Sequence, residues 1–278
     1  MLLITGADGQ LGMCLKDALG AQGALFAGRA DLDIADEAMV AEYFAAHEID
    51  AVVNCAAYTA VDRAEDEEDA ANRVNNAGAG LMARYARRII HISTDYVFDG
   101  TGGRPYVETD EPNPKSAYGR TKLAGERAAI ANAESAVVIR TSWLYSPYGS
   151  NFVKTIRRIA GERAEINVVD DQRGCPTYAA DLAAAIAKII PRMKIGAKEI
   201  YHYAGGGECT WHEFAGEIVR LSGLACKVNP VATKDYPAKA ARPAYSVLDK
   251  SKIARDFGVE IPDWRESLAE CIKKMEIA

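Results

Sequence analysis

A glycine-rich turn near the start of the chain constrains the fold more than any other feature. A short apolar run over residues 2–5 leads directly into this turn, whose glycines are Gly6, Gly9 and Gly12. Glycines at such points permit a tight turn, close approach of a pyrophosphate to the backbone, and close packing of a helix on a strand. The N–H groups at the start of the following helix then face the anion. The spacing GxxGxxG between a strand and a helix therefore predicts a dinucleotide-binding turn.

The chain continues with β-rich runs that alternate with longer helical patterns. The runs at residues 24–27, 51–54 and 89–93 lack polar–apolar alternation, as strands that are buried on both faces do. Apolar residues recur at helical intervals between them. This order predicts an α/β fold with a doubly wound parallel sheet, a Rossmann-like NAD(P)-binding core. A helix at 118–133 and a strand at 136–144 extend the sheet.

The pattern becomes less regular after residue 148. We assign residues 1–148 and about 177–206 to the NAD(P)-binding Rossmann domain, and about 149–176 and 207–278 to a smaller mixed α/β C-terminal lobe for the substrate. The elements expected after residue 148 are helices at 151–160, 181–190 and 211–223, strands at 166–171 and 199–206, a coil interrupted by Pro230, Pro237 and Pro243, and a closing helix.

Charge and apolar content exclude several classes of protein. The 278 residues carry 33 basic and 39 acidic side chains, and the resulting net charge of −6 argues against nucleic acid or anionic membranes as partners. No apolar stretch reaches the roughly 20 residues of a membrane span, and no secretion signal is visible. We therefore expect a cytoplasmic protein. The six cysteines and four histidines lack metal or disulfide spacing, so we predict reduced, buried thiols and no metal site.

The end of the second predicted strand bears on the choice of cofactor. An NAD-selective site places an acidic residue there, against the ribose 2′-hydroxyl. This chain has Gly28 and Arg29 instead. Because an arginine can pair with a 2′-phosphate, Arg29 favours NADPH, with NADH as an alternative cofactor. A solvated surface arginine is the competing interpretation.

Candidate catalytic residues follow in chain order. Thr94 lies at the end of the fourth predicted strand, and Tyr118 and Lys122 share one face of the next helix. The ammonium can lie beneath the phenol and lower its pKa from about 10, so that the phenol gives a proton to an alkoxide as a hydride arrives. A YxxxK pair alone is common on helix surfaces. Its order after the glycine turn and the Ser-Thr strand end favours catalysis.

These motifs resemble the extended short-chain dehydrogenase/reductases over nearly the whole chain. The segments that carry the resemblance are TGADGQLG, VVNCAAYTAVDRAE, HISTDYVFDG, SAYGRTKLAGE, RTSWLY, VVDDQRGCPT, TWHEF and ARPAYSVLD. The resemblance implies reduction of the C4 ketone of dTDP-4-dehydro-6-deoxy-L-mannose to dTDP-L-rhamnose. It also implies a dTDP-sugar partner and allows a homodimer. Family members are reported with a dimer-bridging magnesium, but no matching carboxylate motif is present here.

The resemblance also assigns roles to individual residues. The pyrophosphate contacts fall on Gly9, Gln10 and Leu11 within the glycine turn, the adenine side on Asp33 and Ile34, and the middle of the cofactor on Ala57, Tyr58 and Thr59. It makes Tyr118 the proton donor, and it assigns Lys122 to binding the nicotinamide ribose. Sugar-nucleotide contacts fall on Thr94, Asp95, Val61 and Trp143. As structural alternatives, Asp95 caps a strand end, while Val61 and Trp143 belong to packed cores.

Four other functions compete with the reduction of this sugar. Sugar-nucleotide epimerases and other 4-ketoreductases share the same motifs. A 4,6-dehydratase needs an additional acid/base pair, usually Asp-Glu, whereas Asp95 is followed here by Tyr96. A non-catalytic regulator is disfavoured because Thr94, Tyr118 and Lys122 are all present.

The predicted ligands are anions, so this net-negative chain needs local groups of positive charge to bind them. The candidates are the helix N-terminus after the turn, Arg29, Lys122 and Arg242.

Overall fold

The computed structural model describes residues 1–20 and 23–277 and is built on a six-stranded parallel sheet. In chain order, the strands are β1 (Leu2–Thr5), β2 (Leu25–Ala27), β3 (Ala51–Asn54), β4 (Arg88–Thr94), β5 (Ser135–Thr141), β6 (Leu144–Tyr145), β7 (Glu165–Val169), β8 (Arg173–Gly174), β9 (Thr177–Tyr178), β10 (Lys198–His202), β11 (Cys209–Thr210) and β12 (Lys227–Val231). The α-helices are α1 (Gln10–Leu19), α2 (Glu37–Ala46), α3 (Glu68–Asn72), α4 (Ala79–Tyr85), α5 (Ala117–Asn132), α6 (Phe152–Glu162), α7 (Ala179–Ile189), α8 (Trp211–Leu221), α9 (Ser251–Phe257) and α10 (Trp264–Ile277).

The sheet order β10-β5-β4-β3-β1-β2 confirms the doubly wound fold. The chain runs outward from β1 in one direction and then returns to build the other half, so the reversal falls between β1 and β3. Helices α1 and α7 cover one face, where Leu15 and Ile186 share a core. Helices α2, α4 and α5 cover the other, with Met82 and Ala129 in a second core. Burial on both faces explains the continuous apolar strands.

A third core lies outside the sheet. Tyr145, Phe214 and Trp264 are its large, fully buried members, contributed by β6, α8 and α10. Helix α8 begins with a capping box in which Thr210 and Glu213 each accept the other's backbone N–H. We propose this region as the substrate lobe, with the division of the chain given above.

Two elements in the C-terminal third differ from the sequence prediction. The predicted coil around Pro230 contains strand β12, which pairs in parallel with β7. Proline is tolerated there because a two-stranded ribbon has only edge strands. The short helix α9 was not predicted; it ends at Gly258, whose φ of 62° needs a glycine. Its Ile253 and Phe257 pack into the first core against the sheet, not into the third.

The helical pattern predicted between the runs at 51–54 and 89–93 is interrupted in the structure. A π-helical stretch, Arg73–Gly78, separates α3 from α4. Similarly, the predicted strand at 136–144 ends at Thr141 and resumes at Leu144, because Trp143 adopts a left-handed backbone with φ of 48°. Such irregularities often mark functional sites. Both of these lie near the carboxyl edge of the sheet.

The six cysteines are free thiols, four of them buried and Cys55 and Cys226 partly so. Over the described residues, no helix combines the length and apolar character needed to cross a bilayer.

A buried ion pair joins α5 to the sheet. Arg140 on β5 makes two hydrogen bonds to the Glu126 carboxylate, at 2.9 and 2.7 Å, and both side chains are 2% exposed. Ser93 on β4 donates to the same carboxylate at 2.5 Å. Both charges have left water, so each depends on the other for stabilisation.

We expect Glu126→Leu to lower the free energy of unfolding by about 3–5 kcal/mol, because it leaves the Arg140 guanidinium buried without its partner. The double variant Glu126→Leu/Arg140→Met should recover most of this loss, since it removes both buried charges. Chemical denaturation of both variants measures the effect. Glu68→Ala, which breaks the exposed pair with Arg120, is the control and should cost less than about 1 kcal/mol. A double variant as unstable as Glu126→Leu would contradict the account.

Candidate active site

The site lies where the carboxyl ends of β1, β3, β4 and β5 meet. The glycine turn follows β1 there, and its φ of 62° at Gly6 is a left-handed conformation that favours glycine. A Cβ on Gly6 would lie 2.7 Å from the backbone nitrogen of Ala56, and one on Gly12 would lie 2.5 Å from the Gly6 carbonyl oxygen. Side chains at these positions would push α1 away from the sheet. The tight turn and the close packing predicted from the glycines are therefore present at Gly6 and Gly12.

The N-terminus of α1 fits a cofactor pyrophosphate. Gly9 is its N-cap, so no side chain there accepts the first N–H groups, and the first turn carries no acidic residue. The side chains of two predicted contact residues are engaged elsewhere. Gln10 accepts hydrogen bonds from Ser146 and Asn151, and Leu11 is buried in the first core. Gln10 and Leu11 are thus left with their backbone N–H groups for an anion.

The adenosine end of the predicted cofactor site has a mixed charge. Arg29 is exposed, as a residue that meets a 2′-phosphate must be. The Asp8 carboxylate, however, lies directly over Gly28, where a Cβ would be 1.9 Å from Asp8 Oδ2. Asp33 accepts from the backbone of Ala35 at 3.0 Å. The side chain of Ile34 packs in the second core, so only its backbone remains for an adenine.

Asn75 is a site residue that the sequence analysis missed. It lies in the π-helical stretch, is buried, and accepts from Tyr58 N–H at 2.8 Å while donating to Tyr58 O and Thr121 Oγ1. It thereby joins the loop of Ala57, Tyr58 and Thr59 to α5. The available signal was an Asn-Asn pair inside an apolar helical pattern, where polar residues need a reason for burial. Thr59 itself is exposed and Ala57 partly buried.

Tyr118 lies in the first turn of α5, which begins where Ser116 Oγ accepts from Gly119 N–H at 3.1 Å. Burial raises the pKa of Tyr118 above its usual value, and a hydrogen bond with the Thr94 hydroxyl opposes part of that rise. Thr94 and Tyr118 are therefore adjacent. The expected lowering of the phenol pKa is wrong for this structure, because desolvation of a phenolate outweighs the stabilising contacts.

Lys122 is buried one turn further along α5. Its Nζ donates to the Ile92 carbonyl at 2.6 Å and lies 3.5 Å from His91 Nε2. Burial lowers the pKa of Lys122 to about 8, and the Glu126 carboxylate opposes that shift. The ammonium is held on β4, next to the strand end that carries Thr94.

Asp95 is buried beside Thr94, which donates to its Oδ1 at 3.1 Å. Burial raises the pKa of Asp95 to about 6. Its other oxygen, Oδ2, has no hydrogen-bond partner among the described residues. A buried carboxylate oxygen of this kind is suited to accept from a sugar hydroxyl.

The two remaining predicted residues differ in their surroundings. Trp143 follows β5 at the same edge and stacks on Trp211, with ring centroids 3.6 Å apart. A Cβ on Gly174 would lie 2.7 Å from the Trp143 indole, so the ring is tightly enclosed on that side. Val61 is partly exposed in the loop after β3, next to Asp62. The assignment of Trp143 and Val61 as substrate contacts therefore stays a prediction.

A cationic side chain closes the far side of the site. Arg242 pairs with Asp62 at 2.7 Å and donates to the Tyr96 hydroxyl at 3.3 Å. Tyr96 in turn contacts Tyr118 edge to face, with centroids 5.6 Å apart. Among residues 1–20 and 23–277, no group of three or more His, Cys, Asp or Glu side chains is arranged to hold a metal ion.

The doubly wound sheet, the uncapped N-terminus of α1 and the Thr94–Tyr118–Lys122 arrangement define the class of extended short-chain dehydrogenase/reductases. Comparison with known proteins narrows this class. The model of a family described as RmlD substrate binding domain matches residues 1–277. The chain belongs to this family.

Named relatives cover almost the whole chain. It is 41% identical to a spore coat polysaccharide biosynthesis protein of Bacillus subtilis, over 100% of this chain and 98% of the relative. It is also 41% identical to a dTDP-4-dehydrorhamnose reductase of Sinorhizobium fredii, over 96% and 94%. The crystal structure of a dTDP-4-dehydrorhamnose reductase from Bacillus anthracis in complex with NADP is similar, with a TM-score of 0.93, 38% identity and 98% coverage of both chains.

The raised pKa of Asp95 predicts a pH-dependent gain in stability on its removal. A carboxyl group whose pKa is near 6 in the fold and about 3.8 when unfolded destabilises the protein above pH 6, and the effect disappears below about pH 4. We expect Asp95→Asn to raise the free energy of unfolding by about 1–3 kcal/mol at pH 8.

Asp99→Asn is the control for Asp95→Asn. Hydrogen bonding by Thr101 lowers the pKa of Asp99 to about 2, so this variant should lose stability at pH 8. Denaturation curves at pH 8 and pH 4 compare the two variants. A gain for Asp95→Asn that is equal at both pH values would show that its charge is not the cause.

Asp8, in the glycine turn after β1, and Arg29, after β2, should affect cofactor preference in opposite directions. Asp8→Asn removes a carboxylate that repels a 2′-phosphate, so the preference for NADPH over NADH should rise by several-fold, about 1 kcal/mol. Arg29→Asp should lower that preference. Binding of each cofactor, followed by nicotinamide fluorescence, gives the ratio of dissociation constants. If the ratio is unchanged in both variants, these side chains do not face the adenosine ribose.

Proposed function

We propose that the protein is an NADPH-dependent reductase that converts the C4 ketone of dTDP-4-dehydro-6-deoxy-L-mannose to dTDP-L-rhamnose. The observation that carries the proposal is the adjacency of the Tyr118 and Thr94 hydroxyls at the sheet edge, with the buried Lys122 ammonium on the same helix. The relatives named as dTDP-4-dehydrorhamnose reductases support this substrate, and the NADP-bound relative supports the cofactor. NADH is an alternative cofactor.

Bound NADPH supplies the hydride, which adds to C4 of the sugar. Tyr118 donates its phenolic proton to the C4 oxygen, so that the ketone becomes an alcohol and the phenol becomes a phenolate. The raised pKa of Tyr118 keeps this proton in place until negative charge develops on the substrate oxygen. The Thr94 hydroxyl, whose single proton otherwise goes to Asp95, turns to donate a second hydrogen bond to the same oxygen. The cation at Lys122 stabilises the phenolate that remains.

Four local features suit the cofactor and the sugar nucleotide. The N-terminus of α1 holds the cofactor pyrophosphate, through backbone N–H groups that no side chain caps. Asp95 Oδ2 accepts from a sugar hydroxyl, and Trp143 forms one wall of the sugar pocket. Arg242 lies close enough to Tyr118, through Tyr96, to pair with the diphosphate of the sugar nucleotide.

The proposal places the protein in the cytoplasm, where free thiols such as these six persist. It includes the assignment of residues 149–176 and 207–278 to sugar-nucleotide binding. A homodimer is part of the proposal, supported by the family resemblance alone. An epimerase or another nucleotide-sugar 4-ketoreductase is the second candidate, because these enzymes use the same Thr, Tyr and Lys.

The decisive test is the product formed from dTDP-4-dehydro-L-rhamnose and NADPH. We expect stoichiometric NADPH oxidation with dTDP-L-rhamnose as the product sugar. Tyr118→Phe should lower kcat by about 10²–10⁴-fold, since it removes the proton donor, while NADPH binding stays nearly unchanged. Sugar analysis by NMR and cofactor titration provide the two measurements.

Tyr203→Phe is the matched control, because Tyr203 is a fully buried tyrosine that follows β10, outside the proposed site. It should retain wild-type kcat. Turnover of Tyr118→Phe at the wild-type rate would overturn the assignment of the proton donor. A product with a different configuration at C4 would favour another 4-ketoreductase of this class.

A further inference from the structure

A row of buried polar side chains crosses the sheet beneath the proposed site. Thr5, Asn54 and His91 are paired in register on the adjacent strands β1, β3 and β4. Their exposures are 0%, 1% and 0%. Burying three polar groups in an otherwise apolar sheet is costly unless they bond to one another. The mechanism described above uses none of them.

The row ends at Lys122. Thr5 Oγ1 is 2.7 Å from Asn54 Oδ1, and Asn54 Nδ2 is 3.2 Å from His91 Nδ1. The other ring nitrogen of His91, Nε2, is 3.5 Å from Lys122 Nζ. The hydrogen bonds of β1 and β3 are thereby connected to the head group of the lysine on α5.

Helix α5 approaches this row closely because of a glycine. A Cβ on Gly125 would lie 2.0 Å from the Asn75 carbonyl oxygen and 3.4 Å from His91 Nε2. Any larger residue would move α5, and with it Lys122, away from the imidazole. The contact between His91 and Lys122 is therefore built into the packing of α5.

His91 is neutral, because burial and the nearby ammonium hold its pKa well below the usual value. A neutral imidazole has one donor and one acceptor. When Lys122 is charged, Nε2 must accept from the ammonium, so Nδ1–H donates to the Asn54 amide oxygen and the amide NH₂ donates to Thr5. When Lys122 is neutral, each hydrogen bond runs the opposite way, with Thr5 as the first donor. The structure has this second arrangement, in which Thr5 Oγ1 donates to Asn54 Oδ1 and Asn54 Nδ2 donates to His91 Nδ1.

The Asn54 amide can serve both arrangements because its oxygen and nitrogen have nearly the same shape, and a half-turn exchanges them. The other charged or titratable groups around Lys122 cannot exchange a donor for an acceptor in this way when the lysine changes its charge. Glu126 on α5 is engaged with Arg140 on β5, Cys55 lies after β3, and Tyr118 lies one turn back on α5.

We propose that Thr5, Asn54 and His91 form a positioning relay for Lys122, which holds its head group against the Ile92 carbonyl and supports it in both charge states by reversing its hydrogen bonds. The catalytic consequence rests on the proposed function: Lys122 keeps one position while charge moves on and off Tyr118. The relay itself is a property of the ligand-free protein.

Titration of Lys122 tests the relay without any turnover. We would follow the lysine 13Cε signals of the protein by NMR against pH, and Lys122→Arg identifies the signal. The wild-type midpoint is expected near 8. Asn54→Leu does not touch Lys122, yet it removes the acceptor that His91 Nδ1–H needs. Both charge states lose a hydrogen bond, but the charged state loses more, because a hydrogen bond to an ammonium is about twice as strong as one between neutral groups. The midpoint should therefore fall by roughly one pH unit.

Two further variants separate hydrogen bonding from packing. His91→Leu should lower the midpoint at least as much as Asn54→Leu, whereas His91→Gln, which keeps an acceptor near the Nε2 position, should stay close to wild type. His202→Leu is the matched control, because His202 is equally buried, on β10, and bonds to Tyr106 O at 3.1 Å. It should leave the midpoint unchanged.

An Asn54→Leu midpoint equal to wild type would overturn the relay, as would a Gln variant that titrates like the Leu variant. If His91→Leu does not fold, Asn54→Leu and His91→Gln still decide the question. With turnover available, the alkaline limb of the kcat profile should shift with the same variants. A protein that shows the midpoint shifts but no activity towards the sugar nucleotide would refute the proposed function and leave the relay standing.

Discussion

The burial of the Lys122 ammonium is the constraint on which the rest of the site depends. An ammonium taken out of water is stable only if its N–H groups are bonded and a negative charge lies near. The Ile92 carbonyl supplies the shortest contact, and the Glu126 carboxylate raises the lysine pKa against the effect of desolvation. Glu126 itself needs Arg140 and Ser93. One buried cation thus accounts for a polar cluster that extends from α5 across β4 to β5.

The same burial explains why the sequence predicted that Tyr118 and Lys122 share a helix face but not the direction of the phenol pKa shift. The YxxxK spacing fixes Tyr118 and Lys122 on one helix face regardless of what surrounds it. The pKa of the phenol, however, depends on how much water α5 leaves around it. Packing of α5 on the strand ends, through Gly119 and Gly125, removes that water. The result is a phenol that holds its proton tightly, which suits a proton donor better than a base.

Strand and helix positions were predictable where a single hydrophobic pattern, that of a buried strand or that of an amphipathic helix, dominated the local sequence. The runs in β1 and β3 are apolar except for their last residues, Thr5 and Asn54, and α8 carries both a capping box and a clear apolar face. Prediction failed where tertiary contacts decided the local structure. Strand β12 forms around Pro230 only because β7 offers a partner, and the π-helical stretch with Asn75 forms because that side chain bonds to the Tyr58 loop and to Thr121. None of these three partners is a neighbour in sequence.

A chain with a net charge of −6 binds two anionic ligands only if its local potential differs from its overall charge. In the described structure, the local charge differs between the two ends of the predicted cofactor site. At the pyrophosphate position, α1 presents backbone N–H groups with no acidic side chain in the first turn. At the adenosine end, by contrast, Asp8 and Arg29 flank Gly28 with opposite charges. Because a fixed helix terminus binds the pyrophosphate of either dinucleotide equally, we propose that discrimination between NADPH and NADH comes from exposed side chains such as these two, which can change without disturbing the fold.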